Sequence, residues 1–148
     1  MYRHSPSGTV ESRQLDQTRK EVAALITAYY EVGKSKELTK LSKFLAPPQY
    51  FTKFDESPPL TRQNANEAFM YEQARFANIS DYSYKIEDLR IDVLGLMAVA
   101  TFYLDYKGVF VNDYSFEGST VGGRVRVTMV VGKIGDSWKI VHQHSSRL

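Results

Sequence analysis

Two histidines, His142 and His144, stand one residue apart in the run Trp138-Lys-Ile-Val-His142-Gln-His144-Ser-Ser146. Imidazole is the side chain whose charge changes close to neutral pH, so the pair is open to proton transfer and to hydrogen bonding of a ligand. On a strand, residues i and i+2 share one face with side chains about 7 Å apart. A metal ion would want a third ligand and orienting partners, and no such cluster accompanies the pair in sequence, so no metal is expected. The acids available as partners are Asp55 and Asp105. Arg126, inside an otherwise apolar strand, could fork onto the carboxylate of a ligand or onto an internal acid. Tyr30 and Tyr103, two of 10 tyrosines, complete the candidate ligand-binding set of Arg126, His142 and His144. Each offers an apolar body with a polar tip.

The elements that position these residues follow from periodicity. Residues 1–11 read as a flexible arm, and a single domain spans 12–148. The first helix begins near Ser12, because Leu15, Val22, Leu25, Ile26, Tyr29 and Tyr30 recur near helical spacing, and Gly33 is its expected stop. Lys36 to Ala46 reads as a second, shorter helix with Leu38, Leu41, Phe44 and Leu45 on one stripe, ended by Pro47-Pro48. Gln49 to Asp55 reads as a short aromatic strand, and Thr61 to Asn78 as a third helix with Ala68, Phe69, Glu72 and Phe76 near one another. Beyond Asp81 the pattern is strand throughout. Tyr82 to Val93 alternates with a change of parity near Asp88 that predicts a bulge. Leu96 to Val111 is a second strand that Gly108 could bend, Gly118 to Gly123 a small-residue connection, Arg124 to Lys133 a third strand, and Trp138 opens the last. Helices first and an antiparallel meander afterwards make an α+β domain. Trp138 is expected to anchor the sheet on a helix.

The final hairpin sets a register. Gly135-Asp136 fits a two-residue type II′ turn, which pairs Ile134 with Ser137 and Val131 with Ile140. Continued without interruption, that register sets Met129 opposite His142 and Val127 opposite His144. A single bulge would instead bring Arg126 and Thr128 onto the histidine face, because a slip of one residue exchanges the faces of a strand.

Composition narrows the function classes. The 19 basic and 17 acidic residues are interspersed and leave a net charge of +2, with no basic stripe for nucleic acid or polybasic anchor for a membrane. The absence of cysteine removes thiolate catalysis, disulfides and Cys-based zinc sites. The first residues lack the apolar core of a secretory signal and no apolar run reaches a membrane-spanning length, so a cytoplasmic location is expected.

The strand Arg126-Val-Thr128-Met-Val-Val, with Gly-Asp-Ser-Trp138-Lys-Ile-Val-His142-Gln-His144-Ser-Ser146 after it, resembles the C-terminal signature of SnoaL-like domains of the nuclear transport factor 2-like superfamily. It is similar, more distantly, to the association domain of calcium/calmodulin-dependent protein kinase II, which closes on the same Trp, His-x-His and Ser pattern. Tyr50-Phe-Thr-Lys-Phe-Asp55-Glu-Ser-Pro-Pro59 looks like the first strand and loop of some SnoaL-like proteins. The resemblance implies a cystatin-like cone, a strongly curved antiparallel sheet wrapped around three helices with a cavity between them, and pairing into a homodimer through the sheet. It does not carry over the ketosteroid isomerase machinery. Alignment on Gly33 puts Ile26 where that enzyme's tyrosine would be, and alignment through Phe44-Leu45-Ala46 puts Lys53 near its base aspartate, with Asp55 two residues on.

The function expected from these residues is binding of a small organic ligand, anionic ones among the candidates, in the cone, with no cofactor. Two alternatives stand beside it. One is an acid-base enzyme of cyclase, isomerase or dehydratase type with His142 or His144 as proton carrier and Asp55 or Asp105 as partner. The other is an assembly module without catalysis.

Overall fold

The computed structural model describes residues 10–111 and 118–148. Of the expected N-terminal arm, residues 1–9 therefore lie outside the described part, and Val10 and Glu11 already belong to the first helix. Helix α1 runs from Val10 to Ser35 and buries Val22, Ile26, Tyr29, Tyr30, Val32 and Gly33 along one stripe. It passes through Gly33 and stops at Lys36, whose φ of 61° takes the left-handed conformation that closes many helices. Gly33 serves packing instead of termination: a Cβ there would sit 2.4 Å from Cε1 of Phe76. Gly33→Ala should therefore cost about 1–2 kcal/mol despite alanine's better helix propensity, because the Phe76 ring must move out of its cluster with Ile79 and Tyr82. Thermal denaturation of the variant measures this, and an unchanged or raised midpoint would contradict the packing role.

The expected second helix divides into a 3-10 turn at Leu38–Lys40 and one α turn, α2, at Leu41–Phe44. The expected aromatic strand likewise narrows to a 3-10 turn at Pro48–Tyr50 followed by β1, Thr52–Phe54. Helix α3, Ala65–Ala77, starts later than its composition indicates. Its start is fixed by a capping box: Asn64 accepts from the Glu67 amide at 2.9 Å, and Glu67 accepts from the Asn64 amide at 3.2 Å.

Four long strands follow: β2 Ile79–Leu94, β3 Met97–Val111, β4 Gly118–Ile134 and β5 Ser137–Arg147. The small-residue segment 118–123, expected as a connection, is the first part of β4, paired with β3 from Val111↔Gly118 onward. The sheet order is β1-β5-β4-β3-β2, antiparallel throughout the meander and parallel where β1 joins β5. β2 breaks register between Glu87 and Arg90, where the parity change marks a bulge, and Asp88 takes a φ of 53° there. The concave face is apolar: Ala98, Ala100, Phe102 and Leu104 of β3 and Val125, Val127, Met129 and Val131 of β4 pack on Val22, Ile26, Tyr29 and Tyr30 of α1. Trp138 joins this core and its Nε1 donates to Glu21 of α1 at 3.1 Å, which ties the closing strand to the helix as expected. The result is an α+β architecture with a curved open sheet around the helices.

The hairpin register settles which residues enter the cone. Ile134 pairs with Ser137 and Val131 with Ile140, but the next pair is Val130↔His142, followed by Thr128↔His144 and Arg126↔Ser146. Val141 is the extra residue of a bulge. Beyond it Gln143 and Ser145 are buried on the concave side, whereas His142 and His144 share the outer face with Arg126 and Thr128.

Candidate functional site

A charged cluster forms where β1, α3 and β5 meet. β1 alternates, so Thr52 and Phe54 face outward and Lys53 faces inward, with Phe51 and Asp55 buried on either side of it. The backbone of Lys53 is clamped by two hydrogen bonds to Gln63, at 3.0 and 2.8 Å. From α3, Glu72 and Arg75 lie one turn apart and reach the same space. Lys53 is only 2% exposed, and its Nζ lies 2.7 Å from Glu72 Oε1 and 3.7 Å from Asp55 Oδ2. Arg75 bridges all three acids: Nη2 to Asp55 Oδ2 at 2.7 Å, Nη1 to Glu72 Oε1 at 3.5 Å and Nη1 to Glu56 Oε1 at 3.8 Å. Its side chain, 29% exposed, forms the solvent side of the network.

These groups wall a chamber of about 30 Å³ completed by Tyr29, Tyr30, Tyr82, Tyr106, Gln143 and Ser145. A cavity needs about 10–15 Å³ of open space to hold one water molecule, so the chamber admits a small polar group. Gln143 is 3% exposed; its Nε2 donates to the Tyr30 hydroxyl at 3.4 Å, while its Oε1 is buried without a partner among the described residues. An orphaned buried acceptor beside a cavity marks a place where something else is meant to donate.

The electrostatics separate the acids. Burial pushes Asp55 up, but the hydrogen bond with Glu56 and the charges of Lys53 and Arg75 outweigh it and hold this carboxyl well below its ordinary value. Burial, the hydrogen bond to Asp55 and the Asp55 charge together raise Glu56 to about 7, against the opposing pull of Arg75. Glu72 is lowered, because Arg75 and Lys53 overcome its burial. Tyr29 and Tyr30 are raised chiefly by burial, so both remain neutral hydroxyls. One carboxylate held ionised beside one poised near neutrality is the arrangement acid-base sites use.

Of the residues singled out from sequence, Asp55 and Tyr30 line this chamber. The others are on the outer face of the sheet. His142 Nδ1 and Thr52 Oγ1 share a hydrogen bond of 2.8 Å, and the Phe54 ring lies 5.9 Å from the His142 ring and 5.5 Å from that of His144. Burial, and then the neighbouring His144, lower the His142 pKa. Arg126 donates to the carbonyl of Arg147 at 3.2 Å. Tyr103 lies under the Arg124 guanidinium at 4.7 Å, and Asp105 accepts from Arg124 at 2.8 Å. Tyr103, Arg126 and Thr128 also border an open groove of about 820 Å³. The bulge at Val141 is the physical reason the histidines and the chamber are on opposite sides.

Lys53, Glu56, Glu72, Arg75 and Gln143 were not among the sequence-derived candidates. A signal existed for two of them. Glu72 sits on the apolar stripe of α3 beside Ala68 and Phe76, and Lys53 occupies the inward position between Phe51 and Asp55; a charge in an apolar position implies a buried partner.

A family model described as a SnoaL-like domain matches residues 22–148. The chain belongs to the SnoaL-like domain family. No curated protein matches it in sequence. Among solved structures, this SnoaL-like domain is similar to a candidate dehydratase of the nuclear transport factor 2-like family from Streptomyces avermitilis, with 21% identity, 90% of this chain and 98% of that chain covered, and a TM-score of 0.77. It is similar to a cystatin-like protein from Caulobacter vibrioides at 14% identity, with 88% and 89% covered and a TM-score of 0.71. It also resembles the hub homology domain of calcium/calmodulin-dependent protein kinase II from Chlamydomonas reinhardtii, at 17% identity, with 88% and 98% covered and a TM-score of 0.69. At these identities the likenesses establish the fold of the SnoaL-like domain. Among its described residues, no helix is long and apolar enough to cross a membrane.

Proposed function

We propose that this SnoaL-like domain binds a small organic ligand in the chamber formed by β1, α3 and β5, and that it does so as a homodimer joined through the outer face of its sheet. The observation that carries the reading is the buried network of Lys53, Asp55, Glu72 and Arg75 beside the unpaired Oε1 of Gln143. Apolar residues of the same volume would fill such a place at equal or better stability, so these four charged groups around a cavity are not required by folding alone. The anionic ligand expected from sequence rested on Arg126, which stands outside the cone, and both cations inside are already paired with carboxylates. A thermal-shift screen of small amines, alcohols and carboxylates tests the reading. A ligand at 100 times its Kd should stabilise the fold by about 2.7 kcal/mol. A screen in which no compound raises the midpoint would overturn it.

The dimer is favoured by the outer sheet face, where Tyr103, Val99, Val130 and His142 are half-buried and Phe54 is exposed. Equilibrium sedimentation should give twice the mass of 16.9 kDa; a monomer would contradict the pairing, and a larger ring would favour the assembly reading that the kinase hub relatives bring to mind.

Acid-base catalysis is a second reading, favoured by Glu56 at about 7 next to an ionised Asp55. In that reading Glu56 takes the proton-carrying role expected of His142 or His144, and the dehydratase-like relative is the precedent for the class of reaction.

A further inference from the structure

The chamber has a charge sign and a size. Two cations, Lys53 and Arg75, face three acids, Asp55, Glu56 and Glu72. Lys53 is committed to Glu72 at 2.7 Å and Arg75 to Asp55 at 2.7 Å, which leaves Glu56 hydrogen-bonded to Asp55 and, among the described residues, with no cation nearer than Arg75 at 3.8 Å. The remaining free group is an acceptor as well, Gln143 Oε1. The space between is about 30 Å³, room for a small polar head group.

We infer that the ligand of this chamber is a primary amine whose ammonium group enters the space beside Gln143 Oε1 and Glu56, while its organic remainder leaves past Arg75. An ammonium is small, carries three donors and no acceptor, and supplies a positive charge for Glu56 in its ionised form. A carboxylate in the same place would meet three acids, and a hydroxyl would satisfy Gln143 but leave Glu56 uncompensated. The inference rests on the chamber being a ligand site and adds the chemical class. Burial and Asp55 hold Glu56 near neutrality in the free protein, and a cation arriving beside that carboxyl drives off its proton.

The experiment is calorimetric titration of the full chain at pH 7 with butylamine, 1-butanol and butyrate, each in two buffers of different ionisation enthalpy. Butylamine should bind at least about tenfold more tightly than 1-butanol, a difference of about 1.4 kcal/mol. Its binding should release a measurable fraction of a proton, since burial and Asp55 raise Glu56 toward neutrality and the arriving cation lowers it again. Glu56→Gln, which melts cooperatively if it folds, should abolish the proton release and weaken butylamine by about tenfold. The release itself is read on the unaltered protein, so the inference stands or falls even if that variant does not fold. Equal or tighter binding of 1-butanol or butyrate would overturn the amine while leaving the ligand site in place. Failure of all three probes at 100-fold excess would overturn the site itself.

Discussion

Lys53→Met should cost the protein about 3–5 kcal/mol, the largest single loss expected from any residue of the chamber. The substitution removes the close partner of Glu72, a carboxylate fully interior and 2.7 Å from the lysine, and takes a cation from the side of Asp55. Methionine fills nearly the same volume, so the effect isolates charge from packing. A buried carboxylate without its cation either protonates or forces the site open, and both routes lower stability. The double change Lys53→Met with Glu72→Leu should recover most of the loss, since replacing both members of a buried pair by apolar residues is often neutral. Urea denaturation of the two variants measures the difference. A loss below about 1 kcal/mol in the single variant would mean that the ion pair behaves like one at the surface.

The second large effect is a pH dependence set by Glu56. Its pKa rises from the ordinary 4.5 to about 7 on folding, so its favourable contribution is complete below about 4.5 and is lost as pH climbs through 7. Asp55 and Glu72 run in the opposite direction: both are lowered, so their contributions are present above their ordinary values and disappear as pH falls below them. The wild-type chain should therefore be most stable near about pH 5 and lose roughly 1–3 kcal/mol between there and pH 8. Glu56→Gln should flatten that descent and leave the acid side unchanged. Denaturation midpoints across the range check it, and an equal descent in the variant would assign the titration to some other group.

The contrast between these residues and the histidines shows what sequence could and could not reveal. Strand alternation and the Gly135-Asp136 turn were enough to give an α+β domain and the register of its last hairpin as far as Val131↔Ile140, and the family resemblance of the terminal Trp138 run implied the cone. The bulge at Val141 was conceivable from sequence but not locatable, because a bulge in a strand of mixed residues leaves no compositional mark. That one residue decides that Gln143 enters the cone and that His142 and His144 leave it. Tyr30 was legible because it lies on the apolar stripe of α1, and Asp55 because it is the acid that follows the short aromatic strand. Lys53 and Arg75 were not, because long basic side chains read as solvated unless the acids they meet are known, and those acids stand about twenty residues away, Glu72 on α3 for Lys53 and Asp55 after β1 for Arg75. Gly33 was misread for a related reason: a glycine near a helix end looks like a stop, and only the Phe76 ring pressed against it reveals a packing role.

The most direct test is a crystal structure of the protein grown with butylamine. The account predicts the amine nitrogen in the chamber at about 3 Å from Gln143 Oε1, with the Lys53–Glu72 pair intact beside it. A chamber holding only water, with the amine absent or bound on the outer sheet face near His142 and His144, would contradict it.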